Sequence, residues 1–384
     1  MCRPRRCSVF LRIFDSETVL SVDMAENTDD RIRLTLSRST GFTLDVDLTL
    51  PNGGVTVLFG VSGCGKTTVL RSAAGLEKAK GYVRIAGQVW QDDEKRIFVP
   101  TYERRIGYVF QEVSLFDHLN VRENLRFGLK RISDKDGEKR LDDAVELLGI
   151  GHLLERRTSE LSGGERQRCA IARSLAIKPT ALFMDEPLAA LDHARRLEIM
   201  PWIDRLKKEL NLPILYVTHS EEEVMRLADR LAVIDNGKLV DNGPVAETWL
   251  HLMQKKGRKA SRSLLVMGTV EERDSDWSLM KVVSGAMHFW VRDTGVALGS
   301  SVRLMVNADD VSLSVSKPSQ TSIQNVFPCT VAAIDDGSDP SRKVVQVEAA
   351  GTIIMSELTA RAAHELQLRL GMDVWAQVKT IAVH

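Results

Sequence analysis

Residues 60–68 read Gly-Val-Ser-Gly-Cys-Gly-Lys-Thr-Thr and follow directly on the apolar run GVTVLF at 54–59. No other stretch restricts the fold as tightly. The spacing Gly60, Gly65, Lys66, Thr67 is Gly-Xaa4-Gly-Lys-Thr, which needs a buried strand before it and a helix after it. Glycines let the backbone curl so that successive N–H groups of Val61, Ser62, Gly63, Cys64 and Thr68 point at one anion. The helical pattern at 66–76 adds its positive N-terminal end. Lys66 is a point charge for the outer phosphates of a nucleotide, and the Thr67 hydroxyl is placed to hold Mg2+.

A second element supplies carboxylates. ALFMDE at 181–186 is a buried strand ending in Asp185 and Glu186, and ligands of such sheets gather at strand carboxyl ends. Asp185 suits Mg2+; Glu186 suits orienting or deprotonating an attacking water. Further short apolar runs lie at 214–217 and 231–234, and FTLDVDLTL at 42–50 alternates as a half-buried strand. Helical patterns at 138–149, 165–177, 194–210 and 221–228 separate them. Strands alternating with helices predict a parallel sheet covered on both faces, an α/β fold. Asn236-Gly237 marks a hairpin turn.

Residues 161–168 read LSGGERQR. This stretch resembles the signature sequence of ABC-transporter ATPases. Leu161, Ser162, Gly163, Gly164, Glu165 and Gln167 fit it, and Ser162 with the glycines opens a helix whose free N–H groups face an anion. The rest of the family's set stands in order. Gln111 resembles the loop glutamine that senses the γ-phosphate, joins the Mg2+ site and faces the membrane subunits. Leu191-Asp192 resembles the loop that contacts the opposite chain. His219, in YVTHS, resembles the switch histidine at the γ-phosphate. The resemblance covers roughly residues 30–250. It implies a P-loop NTPase domain with a helical subdomain, ATP and Mg2+, and a homodimer in which each ATP lies between Lys66 of one copy and Gly163 of the other. It also implies integral-membrane permease subunits, a periplasmic or extracellular solute-binding protein acting indirectly, and a peripheral place on the cytoplasmic face of the plasma membrane. Phe42 either stacks on adenine, as an aromatic does in many relatives, or belongs to the core face of its strand.

Beyond QKKGRKASRS at 254–263, a linker or a solvated helix end, the pattern changes. Short alternating segments dominate: SLMKVV, HFWVRD, VRLMV, KVVQVE, DVWAQVK. They predict a small all-β, OB-like barrel over 264–384. Turns such as Asp335-Asp336-Gly337 separate them, with one helical stretch at 357–368. The segments 321–335, 353–368 and 371–383 resemble the molybdate-binding (mop) domain that accompanies importer ATPases for molybdate. That resemblance implies uptake of molybdate or tungstate and offers Ser322, Thr359 and Lys379 as oxyanion ligands. Gln324 stands where that pattern has arginine, and these residues equally fit turn-capping, dimer-cementing or regulator-docking roles. Importers of sulfate, iron, polyamine or sugar also carry β-barrel tails and are the alternative.

Composition sets the outer bounds. Lys plus Arg equals Asp plus Glu at 52 each, a balance unlike the basic excess of a nucleic-acid binder. Five cysteines at 2, 7, 64, 169 and 329 lack zinc-site spacing, which suits a reduced compartment. No run reaches the roughly 18 apolar residues of a membrane span. Residues 1–29 are expected to be a disordered or mis-assigned extension, with Met24 an alternative start. The ATPase domain is expected over 30–253.

Overall fold

The computed structural model describes residues 30–39, 41–129, 136–210, 212–254, 263–336 and 340–383. The expected N-terminal extension and residues 255–262 of the linker lie outside them. The chain forms two compact units, 1–243 and 244–384.

In the first unit the order is β1 (Asp30–Ser37), β2 (Thr43–Leu50), β3 (Gly54–Phe59), α1 (Lys66–Ala73), β4 (Lys80–Ile85), β5 (Gln88–Asp92), β6 (Ile97–Phe98) and β7 (Ile106–Val109). Then come α2 (Val121–Arg126), α3 (Gly137–Leu147), α4 (Gly163–Ala176), β8 (Ala181–Asp185), α5 (His193–Glu209), β9 (Pro213–Thr218), α6 (Glu221–Leu227), β10 (Arg230–Asp235) and β11 (Lys238–Pro244). One sheet of eleven strands runs β6-β5-β4-β1-β2-β11-β10-β3-β9-β8-β7.

The sheet is mixed, where the sequence predicts a parallel one. Strands β7, β8, β9, β3 and β10 are parallel, and their runs are buried on both faces. Strands β1, β2, β4, β5 and β6 pair antiparallel. β1 alternates buried Ile32 and Leu34 with exposed Arg31 and Arg33, as expected of a strand with one wet face. Helix α1 packs on β1, β2, β8 and β9 over a core holding Leu58, Val69, Leu70, Phe183 and Val217. Each such side chain contributes roughly 1.5–3 kcal/mol by leaving water. Helices α2, α3 and α4 pack on one another as the helical subdomain. Asn236 (φ 47°) and Gly237 (φ 76°) make the turn between β10 and β11.

The second unit contains α7 (Val245–Gln254), β12 (Ser263–Asp274), β13 (Leu279–Ser284), β14 (Met287–Arg292), β15 (Ser301–Asn307), β16 (Val311–Ser314), β17 (Asn325–Asp336), β18 (Arg342–Ala349), β19 (Thr352–Thr359), α8 (Ala360–Glu365), β20 (Asp373–Val378) and β21 (Ala382–Val383). Two antiparallel five-stranded sheets, β14-β13-β12-β15-β21 and β16-β20-β17-β18-β19, curl around one apolar core in the OB-like manner. The division falls before α7, ten residues ahead of the expected position. α7 belongs with the β unit because Trp249 is buried and its Nε1 donates to Ser263 O at 3.1 Å. The helical stretch expected at 357–368 is shorter. Residues 357–359 complete β19, opposite Val344, Lys343 and Arg342, and the Thr359 hydroxyl caps α8 by accepting Ala362 N at 3.1 Å.

Candidate functional site

The loop after β3 turns through Gly60, whose added Cβ would lie 2.2 Å from Ile234 O, so only glycine lets β3 and β10 approach this closely. Gly65 caps α1 in a left-handed conformation with no side-chain bond, leaving the helix's first N–H groups uncapped by any side chain. Val61, Ser62 and Gly63 are exposed at the mouth; Cys64, Gly65, Lys66 and Thr68 are buried beneath it. Lys66 Nζ donates to Gly60 O (2.8 Å) and Val61 O (3.0 Å), folding the ammonium back into its own loop. Cys64 fills space between them, its thiol pushed up by burial, and its carbonyl accepts Gly237 N at 2.8 Å.

Three strand ends bring the other groups in. At the end of β8, Asp185 accepts the Thr67 hydroxyl at 2.7 Å and the Tyr108 hydroxyl at 3.3 Å. Burial raises the Asp185 carboxyl above the usual range, against those two hydrogen bonds. The next residue, Glu186, sits at φ 43°, a left-handed conformation that costs a non-glycine residue on the order of 1–3 kcal/mol. Its N–H donates to Val217 O at 3.0 Å, which fixes it against β9. That placement puts Glu186 Oε1 3.9 Å from Lys66 Nζ and Oε2 3.1 Å from His219 Nδ1. His219 follows β9 and is half exposed. Gln111 follows β7 and is exposed. The expected residues Lys66, Thr67, Asp185, Glu186 and His219 therefore meet at one edge of the parallel half of the sheet. Tyr108 is the addition: it is the third residue of the strand IGYV, and its nearness to Gln111 in sequence is its signal there.

The signature stretch forms the start of α4. The Ser162 hydroxyl accepts Glu165 N (3.3 Å), and the Glu165 carboxylate accepts Ser162 N (2.8 Å), a capping box. Leu161, Gly164 and Gln167 are buried. Leu191 Cδ2 stands 3.1 Å from where a Gly163 Cβ would be, so the Asp192 loop and the signature share one surface. Asp192 is exposed and caps α5, accepting Arg195 N at 3.0 Å. Phe42 packs against the core with its ring tip near Gly65, and the Arg38 guanidinium lies 5.5 Å over its ring. Of the two readings of Phe42, the core one matches this placement.

In the second unit Ser322 is exposed on the loop before β17, and Lys379 follows β20; the two flank the Asn325–Val378 pairing. Thr359 pairs with Arg342, and its hydroxyl is committed to the α8 cap. Lys379 N donates to the backbone carbonyl of Asp310, and Arg342 Nη1 to Asp309 Oδ1, so the Asp309 carboxylate faces Arg342 here. The buried Cys169 thiol is pushed up to about 12, and that of Cys329 is also raised, both by burial. Both pack in the interior.

Residues 43–189 match the ABC transporter family and residues 321–384 the TOBE domain. The molybdenum import ATP-binding protein ModC of Methylococcus capsulatus is 48% identical over 346 residues, 89% of this chain and 96% of that protein. Its counterpart in Thiobacillus denitrificans is 48% identical over 345 residues, 89% of this chain and 94% of its own. The solved structure of cbiO1 from Clostridium perfringens, part of an ABC transporter complex, superposes with a TM-score of 0.52 at 30% identity. It covers 59% of this chain and 92% of that one. With nearly half its residues shared over almost the whole length of the two curated relatives, the chain belongs to the family of ABC transporter ATP-binding proteins that they represent.

Proposed function

We propose that this ATP hydrolase energises import of molybdate, or tungstate, through a membrane permease. The observation that carries the reading is the meeting of Lys66, the Thr67–Asp185 pair and the Glu186–His219 pair at one sheet edge. Cradle, metal ligands, base and switch are then within a few ångströms of one phosphate position.

The residues fit Mg2+. A buried carboxylate raised by desolvation, 2.7 Å from a threonine hydroxyl, is a pair of hard oxygens of the kind that binds such a cation. Thr67 and Asp185 would hold the ion, with Gln111 beside them. Bound there, Mg2+ would neutralise charge on the outer phosphates. This chain's own residues do the rest. The loop's N–H groups and Lys66 bind the triphosphate, and Lys66 exchanges its loop carbonyls for phosphate oxygens. Glu186, held by β9, takes up or orients the proton of the attacking water; His219 positions Glu186 and reaches for the γ-phosphate.

The second wall comes from another copy. The start of α4 and the Asp192 loop lie side by side, with Ser162 and Asp192 exposed and Leu191 close to Gly163. Two copies placed head to tail would close each ATP between Lys66 and Gly163. Closure would pass through the Gln111 region to permease subunits at the cytoplasmic face of the membrane, with a solute-binding protein feeding them from outside. No helix among the described residues is long and apolar enough to cross a membrane, so the pore is assigned to other chains.

The cargo assignment rests on the names of the relatives and on the TOBE match. Disrupting the gene should lower the activity of molybdenum enzymes and high external molybdate should restore it. Unchanged molybdenum uptake in the disrupted strain would transfer the chain to the sulfate, iron, polyamine or sugar alternatives. For the tail, equilibrium dialysis of molybdate against the full chain and against Lys379→Ala tests the Ser322, Thr359 and Lys379 set. Equal binding by both removes it.

A further inference from the structure

Helices α5 and α6 start at the two loops just described, α5 at Asp192 and α6 after His219, and run side by side in the same direction. Three ion pairs join them, and a fourth ties the far end of α5 to Asp229 just past α6. At the far end Lys207 Nζ meets Asp229 Oδ1 at 2.5 Å and Leu227 O at 3.1 Å. Asp229 in turn accepts Val55 N, which ties this end to β3. Midway, Arg226 Nε donates to Asp204 Oδ2 at 2.7 Å. At the end nearest the site the pairs stand open: Arg196 Nε is 3.8 Å from Glu223 Oε1, and His193 Nε2 is 3.8 Å from Glu222 Oε2.

The change from closed to open pairs falls at Pro201, inside α5. Proline has no N–H for the carbonyl four residues back, so the helix is weakest in bending there. Arg196 and Glu223 differ from an ordinary surface pair. Glu223 is buried, and its other oxygen accepts the Tyr216 hydroxyl at 2.8 Å. Arg196 Nε is buried and makes no hydrogen bond. An approach of about 1 Å would turn the 3.8 Å gap into a charge-assisted hydrogen bond near 2.8 Å. His193 and Glu222 lie further out, 72% and 38% exposed, and contribute little.

We propose that Arg196 and Glu223 are a positioning pair which closes when nucleotide engages His219, bending α5 at Pro201 and moving the Asp192 loop with it. The pair touches neither nucleotide nor water; it joins the group that senses the γ-phosphate to the loop that meets the other copy. The inference rests on the head-to-tail reading of the site.

Steady-state ATP hydrolysis by the full chain, over a range of ATP concentrations, tests it. Arg196→Met and Glu223→Gln should each lower kcat about tenfold, the worth of a charged hydrogen bond. A fluorescent ATP analogue should bind within about twofold of wild type, because the cradle is untouched. The Hill coefficient for ATP should fall toward one in both variants. Arg196→Lys keeps the charge and should recover part of kcat and cooperativity; it also decides the matter if either first variant fails to fold. Pro201→Ala, which stiffens α5, should lower kcat about threefold with unchanged nucleotide binding. Wild-type kcat and Hill coefficient at a lowered thermal midpoint would make the pair a structural brace and overturn the inference. A wild-type chain that hydrolyses ATP without cooperativity and stays monomeric at saturating ATP would instead overturn the two-copy reading on which it stands.

Discussion

The unit holds two helix starts suited to an anion, and they are finished in opposite ways. Helix α1 begins at Gly65 with no side-chain cap and no acidic residue in its first turn. Helix α4 begins at Ser162 with a complete capping box: the Glu165 carboxylate accepts Ser162 N and the Ser162 hydroxyl accepts Glu165 N, while the Gly163 and Gly164 N–H groups lie outside the box. The first is preorganised: its donors wait for phosphate, and the lysine that will meet the phosphate is held on loop carbonyls meanwhile. The second is half-finished: Ser162 N and Glu165 N are engaged by the box, and the Gly163 and Gly164 amides stand outside it. On the proposed reading the first pole binds nucleotide alone, and the second adds only the increment that closing two copies requires. That difference suits a machine whose closed state must reopen.

The largest effects should lie at the preorganised pole. Lys66→Ala removes the ammonium proposed to meet the outer phosphates and should lower ATP hydrolysis by roughly a thousandfold or more, with binding weakened as well. Malachite-green phosphate release and titration with a fluorescent nucleotide check both parts. Retained turnover would place the phosphate elsewhere and dissolve the contrast. Glu186→Gln should cut turnover on the order of a hundredfold or more while nucleotide binding persists. Size-exclusion chromatography with ATP should then show a trapped pair of copies. A variant that binds ATP yet elutes as a single copy would deny the second pole any share in the site.

The preorganised pole was readable in the sequence because its parts are local. Gly60 to Thr68 is one continuous loop and helix start, and Asp185 with Glu186 ends one apolar run. What escaped reading depends on partners distant along the chain. β2 shows in its own alternation, but its antiparallel partners do not follow from it: Leu34 of β1 stands opposite Val46 and Gly81, a pairing between segments distant along the chain. The antiparallel direction of this half of the sheet depends on such pairings. Residues 357–359 look helical by composition, yet the β18 ladder and the Thr359 cap hold them extended. Helix α7 continues the preceding pattern in sequence, and only the bond from Trp249 to Ser263 assigns it to the β unit. Tyr108 and the pairs between α5 and α6 depend on side-chain placement that no spacing encodes.

Asp185→Asn sharpens the comparison from the side of stability. Burial disfavours the Asp185 carboxylate, so its native pKa is raised. A raised acid contributes stability present at low pH, and that contribution is lost as pH rises through the native value. An amide does not ionise and escapes the loss, while it still accepts the Thr67 hydroxyl. The nucleotide-free variant should therefore be more stable at neutral pH by about 1 kcal/mol, with the gain vanishing in acid, and should hydrolyse ATP about a hundredfold more slowly. Thermal melts in acid and at neutral pH read the first effect. A neutral-pH midpoint lower than wild type would mean that the Thr67 and Tyr108 hydrogen bonds outweigh desolvation.

The smallest effect tests the self-capped pole. Ser162→Ala removes the hydroxyl that accepts Glu165 N and should cost about 1 kcal/mol, a fall of roughly 2–4 °C in midpoint for a unit of this size. The partner bond, Glu165 to Ser162 N, survives in the variant, and that bond holds the Glu165 carboxyl below its usual range. A depressed acid stabilises at pH above its ordinary value and loses that benefit as pH falls through the native one. The Ser162 side chain also lowers the Glu165 carboxyl, so both proteins should weaken in acid, the variant less steeply than wild type. Turnover separates a cap from a ligand. If the Ser162 hydroxyl also serves a phosphate bound by the other copy, hydrolysis should drop about tenfold at saturating ATP, and Ser162→Thr, which keeps cap and hydroxyl, should retain most of it. A variant that loses a few degrees but hydrolyses like wild type would leave Ser162 as a cap alone. The second pole would then act through the amides of Gly163 and Gly164 without any side chain, and the contrast with α1 would reduce to where each helix keeps its donors.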